Sequence, residues 1–146
     1  MTQITHIAVT TAGALALRLS GNDLVWAYLF GVLIDADHII KYPLYKRKLQ
    51  WTKRQYFHWR TPLQEPVSFL WLIPFSIWIS SWVPIIFFSL HLVLDYLTTY
   101  EKRPWFPFHR YATLGLFPRV SNTLKEGMVL AASLLFIGVL IVRGYV

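Results

Sequence analysis

The chain has 146 residues, of which 55% are hydrophobic, and its formal net charge is +7. A soluble domain of this length is mostly surface and cannot bury so large an apolar fraction, so residues 1–146 are predicted to form one domain in a membrane. The absence of cysteine excludes disulfides and thiolate metal sites. In so apolar a chain the excess positive charge favours an anionic membrane surface over nucleic acid as the partner.

Hydropathy predicts an all-α integral membrane protein built as a bundle of about five transmembrane helices. Polar, basic connections separate the second span from the third and the fourth span from the last. The predicted spans cover residues 4–19, 23–40, 64–79, 83–98 and 127–142.

The third and fourth spans come from one apolar block at residues 67–97. A bilayer core needs roughly 20 residues per helix, so the block is too long for one span. Pro84 suits the first turn of a helix, and Ser80 or Ser81 can cap that helix. We therefore predict a helical hairpin that turns near these residues.

This hairpin places both polar connections, 41–61 and 98–126, on the side of the membrane that carries Met1. Nearly all lysines and arginines then lie on that side, whereas Arg18 and Arg143 lie on the other. The positive-inside rule predicts a cytoplasmic N-terminus and an external C-terminus for the protein, which we expect in the cytoplasmic (inner) membrane.

Histidines and acidic residues gather at this predicted cytoplasmic face. Both residue types are costly near hydrocarbon, and together they offer the nitrogen and oxygen ligands that divalent metal ions prefer. The pattern therefore predicts a metal site at the cytoplasmic end of the bundle. The candidate ligands are His6, Asp35, Asp37, His38, His58, Glu65, His91 and Asp95.

Local spacing divides the candidates. Asp35 and His38 are three residues apart, and His91 and Asp95 are four apart, so each pair shares one face of a helix. Asp37 points elsewhere in a regular helix, and it would need a frayed helix end to join the others or would instead orient a histidine. A hydrogen bond between helices explains the second pair equally well.

The order of these motifs resembles the small inner-membrane proteins described as membrane-bound, metal-dependent hydrolases, the LexA-regulated family among them. The family's Asp-x-Asp-His is matched by residues 35–38, and its His-x-x-x-Asp by residues 91–95. Ile34 replaces the family's proline, and the second histidine of its third motif, His-Arg-Gly-x-Thr-His, is missing after His58, with Glu65 as the candidate substitute. The resemblance, which runs from His6 to about Pro107, implies a metal-dependent hydrolase without naming its substrate.

We predict one or two bound divalent ions, with zinc favoured over manganese or magnesium. Such ions would promote the hydrolysis of an ester or phosphoester, with Glu65 or Asp37 as the catalytic base. The preferred ligands are His6, Asp35, His38, His91 and Asp95.

The position at headgroup level favours a lipid or lipid-linked phosphoester as the substrate, with membrane lipids as partners. Lys53, Arg54 and Arg60 are predicted to bind the headgroup, although such residues also serve simply as membrane anchors. Two alternatives remain open: an ion or small-solute transporter, and a structural membrane protein whose polar cluster holds helices together. His109 and the segment 108–126 suggest no role.

Overall fold

The computed structural model describes residues 2–36, 62–97, 104, 105, 108, 113 and 115–145. Over these residues the chain forms five α-helices and no strand, which confirms the all-α prediction. The helices are α1 (Gln3–Ala16), α2 (Gly21–Gly31), α3 (Phe69–Trp78), α4 (Val83–Tyr96) and α5 (Asn122–Val142). Three short 3-10 turns accompany them, at Leu33–Asp35, Pro62–Gln64 and Pro66–Ser68.

Helix α1 runs parallel to α5, and the two are in contact. At one end the backbone N–H of Thr2 donates to a carboxylate oxygen of Glu126. At the other end the guanidinium of Arg18 lies over the ring of Tyr145. We call these the His6 end and the Arg18 end of the bundle. Residues 2 and 145 therefore lie at opposite ends of the bundle, and the side of the membrane that each end faces stays a prediction.

Helix α2 packs against α4, and their contact forms most of the apolar core. Small residues line the buried face of α1, where the helices approach closely. A Cβ atom on Gly31 would clash with the hydroxyl oxygen of Thr10, so this contact between α1 and α2 requires glycine. The core residues are Ala14, Ala27, Phe30, Leu72, Val83, Phe87, Phe88 and Leu92.

The helical hairpin lies where the sequence predicts it, because α3 ends at Trp78 and α4 begins at Val83. Pro84 occupies the first turn of α4, and the hydroxyl oxygen of Ser81 accepts the N–H of Val83 at 3.3 Å. The Ser81 hydroxyl also donates to a carboxylate oxygen of Asp23 at 2.7 Å, which fastens the hairpin turn to the start of α2.

The second predicted span, residues 23–40, is not one continuous α-helix. Helix α2 ends at Gly31, because Val32 leaves helical geometry with φ −131° and ψ −56°, and a 3-10 turn follows. Asp35 therefore lies on this turn, and the prediction that it shares a helix face with His38 lies outside the described residues.

Helix length and composition do not confirm the predicted number of membrane spans. Among the described residues only α5, with 21 residues, is long and apolar enough to cross a membrane. Helices α1 and α4 have 14 residues each, and an α-helix of that length is only about 21 Å long. The five-span bundle consequently remains a prediction.

Candidate metal centre

Four ionisable side chains from three parts of the chain meet at the His6 end. His6 lies in the first turns of α1, Asp35 on the 3-10 turn after α2, and His91 and Asp95 in the last turns of α4. All four residues are at most 7% exposed. The spacing of four residues in α4 puts His91 and Asp95 on the same buried face, as the sequence predicts.

The nitrogen and oxygen atoms of these side chains lie close together, but they are farther apart than hydrogen-bonded atoms. The Nε2 atom of His6 lies 3.5 Å from a carboxylate oxygen of Asp95 and 3.8 Å from one of Asp35. The Nε2 atom of His91 lies 3.5 Å from the other oxygen of Asp35. Hydrogen bonds between nitrogen and oxygen are normally 2.7–3.2 Å long.

These separations fit a metal ion. Zinc holds nitrogen and oxygen ligands at about 2.0–2.2 Å, so a tetrahedral ion separates its ligand atoms by about 3.3–3.6 Å. Ligand atoms of His6, Asp35 and His91 all lie within 4.8 Å of one another. The donor set consists of imidazole and carboxylate groups, which suits zinc and also manganese.

The orientation of His91 is fixed by the break in α2. Because the N–H of Asp35 bonds to Val32 rather than to Gly31, the carbonyl oxygen of Gly31 is available, and it lies 3.1 Å from Nδ1 of His91. A carbonyl oxygen only accepts, so Nδ1 carries the proton. In a neutral imidazole the Nε2 lone pair then points toward the Asp35 carboxylate, which leaves a place for a cation between them.

The ring of His6 stacks on the ring of His91, with centroids 4.3 Å apart and an angle of 21° between the ring planes. Protonating both rings would place two positive charges face to face in a buried site. Neither ring nitrogen of His6 has a hydrogen-bond partner among the described residues, and the same holds for Nε2 of His91. Two neutral rings around a shared cation satisfy both observations.

Gln64 belongs to the site, and the sequence analysis missed it. Its side-chain amide is fully buried and donates to a carboxylate oxygen of Asp35 at 3.1 Å. The same amide lies 3.4 Å from the carbonyl oxygen of Ile34. The oxygen that accepts from Gln64 is the one that faces Nε2 of His91, so Gln64 helps to hold that oxygen in place. The only signal in the sequence is the position of Gln64 directly before the candidate Glu65.

Glu65 follows this glutamine and is only 1% exposed, at the start of the turn Pro66–Ser68. The turn that carries Gln64 packs against the turn that carries Asp35, so the buried carboxylate of Glu65 belongs to the same end of the bundle. Its predicted role as a ligand or a base stays a prediction. Seven other residues discussed in the sequence analysis lie outside the described residues: Asp37, His38, Lys53, Arg54, His58, Arg60 and His109.

Lys125 is a second residue whose place the sequence did not reveal. It is only 7% exposed, and its ammonium group donates to the carbonyl oxygens of Leu97 at 2.6 Å and Leu116 at 2.9 Å. Lysine donors satisfy backbone carbonyls that a helix end leaves without partners. Lys125 thus joins the start of α5 to the end of α4 at the His6 end.

The model of the YdjM inner membrane protein family matches residues 1–146. The chain belongs to the YdjM inner membrane protein family. No curated protein and no solved structure matches it.

Membership in the YdjM family supports the predicted inner membrane location. The family description names no activity, so the hydrolase that the sequence resemblance implies is not established by it. The surface of α5 suits contact with lipid, because several of its large apolar side chains are about half exposed or more. They include Met128, Leu134, Leu135, Phe136, Ile141 and Val142.

Proposed function

We propose that this protein is a membrane-embedded, metal-dependent hydrolase that cleaves an ester or phosphoester bond in a lipid or lipid-linked substrate. The observation that carries the proposal is the orientation of His91. Its Nδ1 is committed to the Gly31 carbonyl, while its Nε2 faces the Asp35 carboxylate at 3.5 Å. A neutral histidine held by a backbone carbonyl is the usual arrangement of a metal ligand.

His6, Asp35, His91 and Asp95 would hold the ion in this proposal, and Gln64 would orient the Asp35 carboxylate. A divalent ion supplies Lewis-acid chemistry, since it makes water more acidic and polarises an ester or phosphoryl oxygen. The remaining task for the protein is to accept a proton from the attacking water. Glu65 is the preferred base among the described residues because it is buried at the same end of the bundle.

An apolar groove beside this end supports a lipid substrate. The groove has a volume of about 580 Å³ and begins at Pro66, directly after Glu65. Pockets of this size accommodate the apolar part of a small ligand. The groove is lined by Pro66, Val67, Phe69, Leu70, Ile73, Pro74, Trp105 and Phe108.

Elemental analysis of the purified full-length protein tests the metal site first. We expect one or two zinc or manganese ions per chain, and His91→Ala should lose them. Asp23→Asn is the matched control, since Asp23 lies at the Arg18 end, where its carboxylate accepts the Ser81 hydroxyl. A folded protein that retains no divalent ion after loading with zinc or manganese would contradict the proposal.

Hydrolysis is tested next, with the loaded protein in mixed micelles of detergent and phospholipid, and with a soluble phosphodiester. We expect product only with metal present, and none from His91→Ala. A protein that binds metal but cleaves neither substrate would favour an ion carrier or a structural metal site instead.

A purely structural cluster is the second candidate, and one observation favours it. The contacts from Gln64 to Asp35 and from His91 to Gly31 each connect separate elements, as helix-fastening hydrogen bonds do. In that case His91→Ala would lower thermal stability equally with and without a chelator, and no metal would be found.

A further inference from the structure

The Arg18 end contains a cavity that the proposed hydrolase does not use. Its volume is about 510 Å³, and it lies where the ends of α1 and α5 meet the outer side of α2. The lining combines one charged side chain with tyrosines and leucines. The lining residues are Thr11, Ala14, Leu15, Arg18, Leu19, Leu24, Tyr28, Gly144 and Tyr145.

Arg18 is the charged group of this cavity and has no carboxylate partner among the described residues. Its guanidinium lies 4.4 Å from the centre of the Tyr145 ring. A guanidinium over an aromatic face keeps its planar set of N–H donors, which matches a phosphate or carboxylate group. Stacking thus holds Arg18 at the cavity with its donors still available.

The backbone supports this arrangement at both helix ends. Gly144 has φ +75°, and this left-handed residue lets the N–H of Tyr145 return to the carbonyl of Leu140, which brings the ring back to Arg18. Arg18 itself has φ +52° at the end of α1, a position where glycine is normally preferred. The chain therefore keeps an arginine where its backbone favours a residue without a side chain.

Two hydroxyl groups of the lining, those of Thr11 and Tyr28, already have partners within the protein. The Thr11 hydroxyl donates to the carbonyl of Ile7 at 2.8 Å, so the Tyr28 hydroxyl, 2.7 Å away, donates to Thr11. The guanidinium is thus the group that selects a ligand, and it selects an anion. The leucines of the same wall suit an alkyl chain, so the fitting occupant is an amphiphile with an anionic head.

We propose that this cavity binds the phosphate group of an anionic phospholipid through Arg18, with the start of an acyl chain against Leu15, Leu19 and Leu24. Membership in an inner membrane family puts such lipids next to the protein. This site lies at the end of the bundle opposite His6 and does not depend on the hydrolase proposal.

Native mass spectrometry of the full-length protein in a neutral detergent tests the proposal, with phosphatidylglycerol added. Arg18→Gly should retain one phosphatidylglycerol fewer than the wild type, or hold that molecule at least about tenfold more weakly, because a charge-assisted hydrogen bond is lost. Glycine suits the left-handed backbone, so this variant should fold and be at least as stable without lipid.

Arg143→Gln is the matched control, because Arg143 also lies at the Arg18 end of the bundle, directly after α5, but does not line the cavity. It should retain phosphatidylglycerol as the wild type does. Equal losses from both variants would overturn the proposal, since they would indicate general surface charge. Diacylglycerol with the same chains should show no dependence on Arg18, and an equal dependence would overturn the role of the phosphate. Inorganic phosphate that stabilises the wild type as much as the lipid does would overturn the lipid assignment.

Discussion

Asp35→Asn separates a metal centre from a polar cluster that only fastens helices. The carboxylate of Asp35 faces His6 Nε2 at 3.8 Å and His91 Nε2 at 3.5 Å, and it accepts the Gln64 amide at 3.1 Å. Asparagine has almost the same shape, so its oxygen can still accept from Gln64 while its amide group can donate toward His6. The substitution removes the negative charge and little else.

The size of the effect follows from mass action. An ion that binds only the folded protein stabilises it by about 2.7 kcal/mol when its free concentration is a hundred times the dissociation constant. For a chain of this size that corresponds to a rise of roughly 5–10 °C in the unfolding temperature. We expect this rise in the wild type on adding zinc after chelation, and no rise in Asp35→Asn.

The assay is thermal unfolding in detergent, monitored by intrinsic tryptophan fluorescence, in the presence of zinc or of a chelator. Asp23→Asn makes the same chemical change at the Arg18 end and should keep the full zinc response. The reasoning is refuted if the wild type unfolds at the same temperature with and without zinc, or if Asp35→Asn keeps the response.

Three further predictions concern the surroundings of the site and the topology. Gln64→Ala should weaken zinc binding about 10–100-fold in a chelator competition assay, because it frees the carboxylate that Gln64 orients, whereas unchanged affinity would remove Gln64 from the site. Gly31→Ala should force α1 and α2 apart at Thr10, and it should lower both the unfolding temperature and the zinc affinity. Adding Thr10→Ala to this variant should restore part of each loss. Strictly additive effects of the two substitutions would contradict the proposed clash. Because the chain has no cysteine, single cysteines at exposed Gln3 and Ser20 can be labelled with an impermeant maleimide in intact spheroplasts. The predicted orientation requires labelling at position 20 and none at position 3, and the reverse pattern would invert the topology.

The sequence predicts the helices and the place of the hairpin turn because both depend on local patterns. Apolar runs mark the helices, while Ser81 and Pro84 mark the start of α4 by chemistry that acts within one turn. The meeting of His6, Asp35 and His91 at one end follows from counting helices that alternate in direction. Their identity as metal ligands stays a prediction.

The details that orient the site were beyond sequence reasoning because they depend on contacts between distant segments. Hydropathy continues smoothly through Val32, so it does not reveal the break that makes the Gly31 carbonyl available to His91. Gln64 carries no charge, so nothing in the sequence distinguishes it from other polar residues. Its role depends on the hydrogen bond from its amide to Asp35, which only the fold brings about. In the sequence Lys125 resembles the other cations of the basic face. Its burial depends on where the fold places the carbonyl oxygens of Leu97 and Leu116.

Helix α1 is short, but the segment 2–18 that contains it extends farther along the bundle than the helix does. Thr2 contacts Glu126 near the start of α5, and Arg18 contacts Tyr145 just beyond its end. The segment 2–18 therefore runs beside nearly all of α5, which is long and apolar enough to cross a membrane. Since His6 lies in the first turns of α1, the cluster of imidazoles and carboxylates falls near the start of α5 rather than at its middle. A polar site near that helix end would lie close to the lipid headgroups, and this position favours the proposed lipid hydrolase over a carrier whose ion site lies at the midplane.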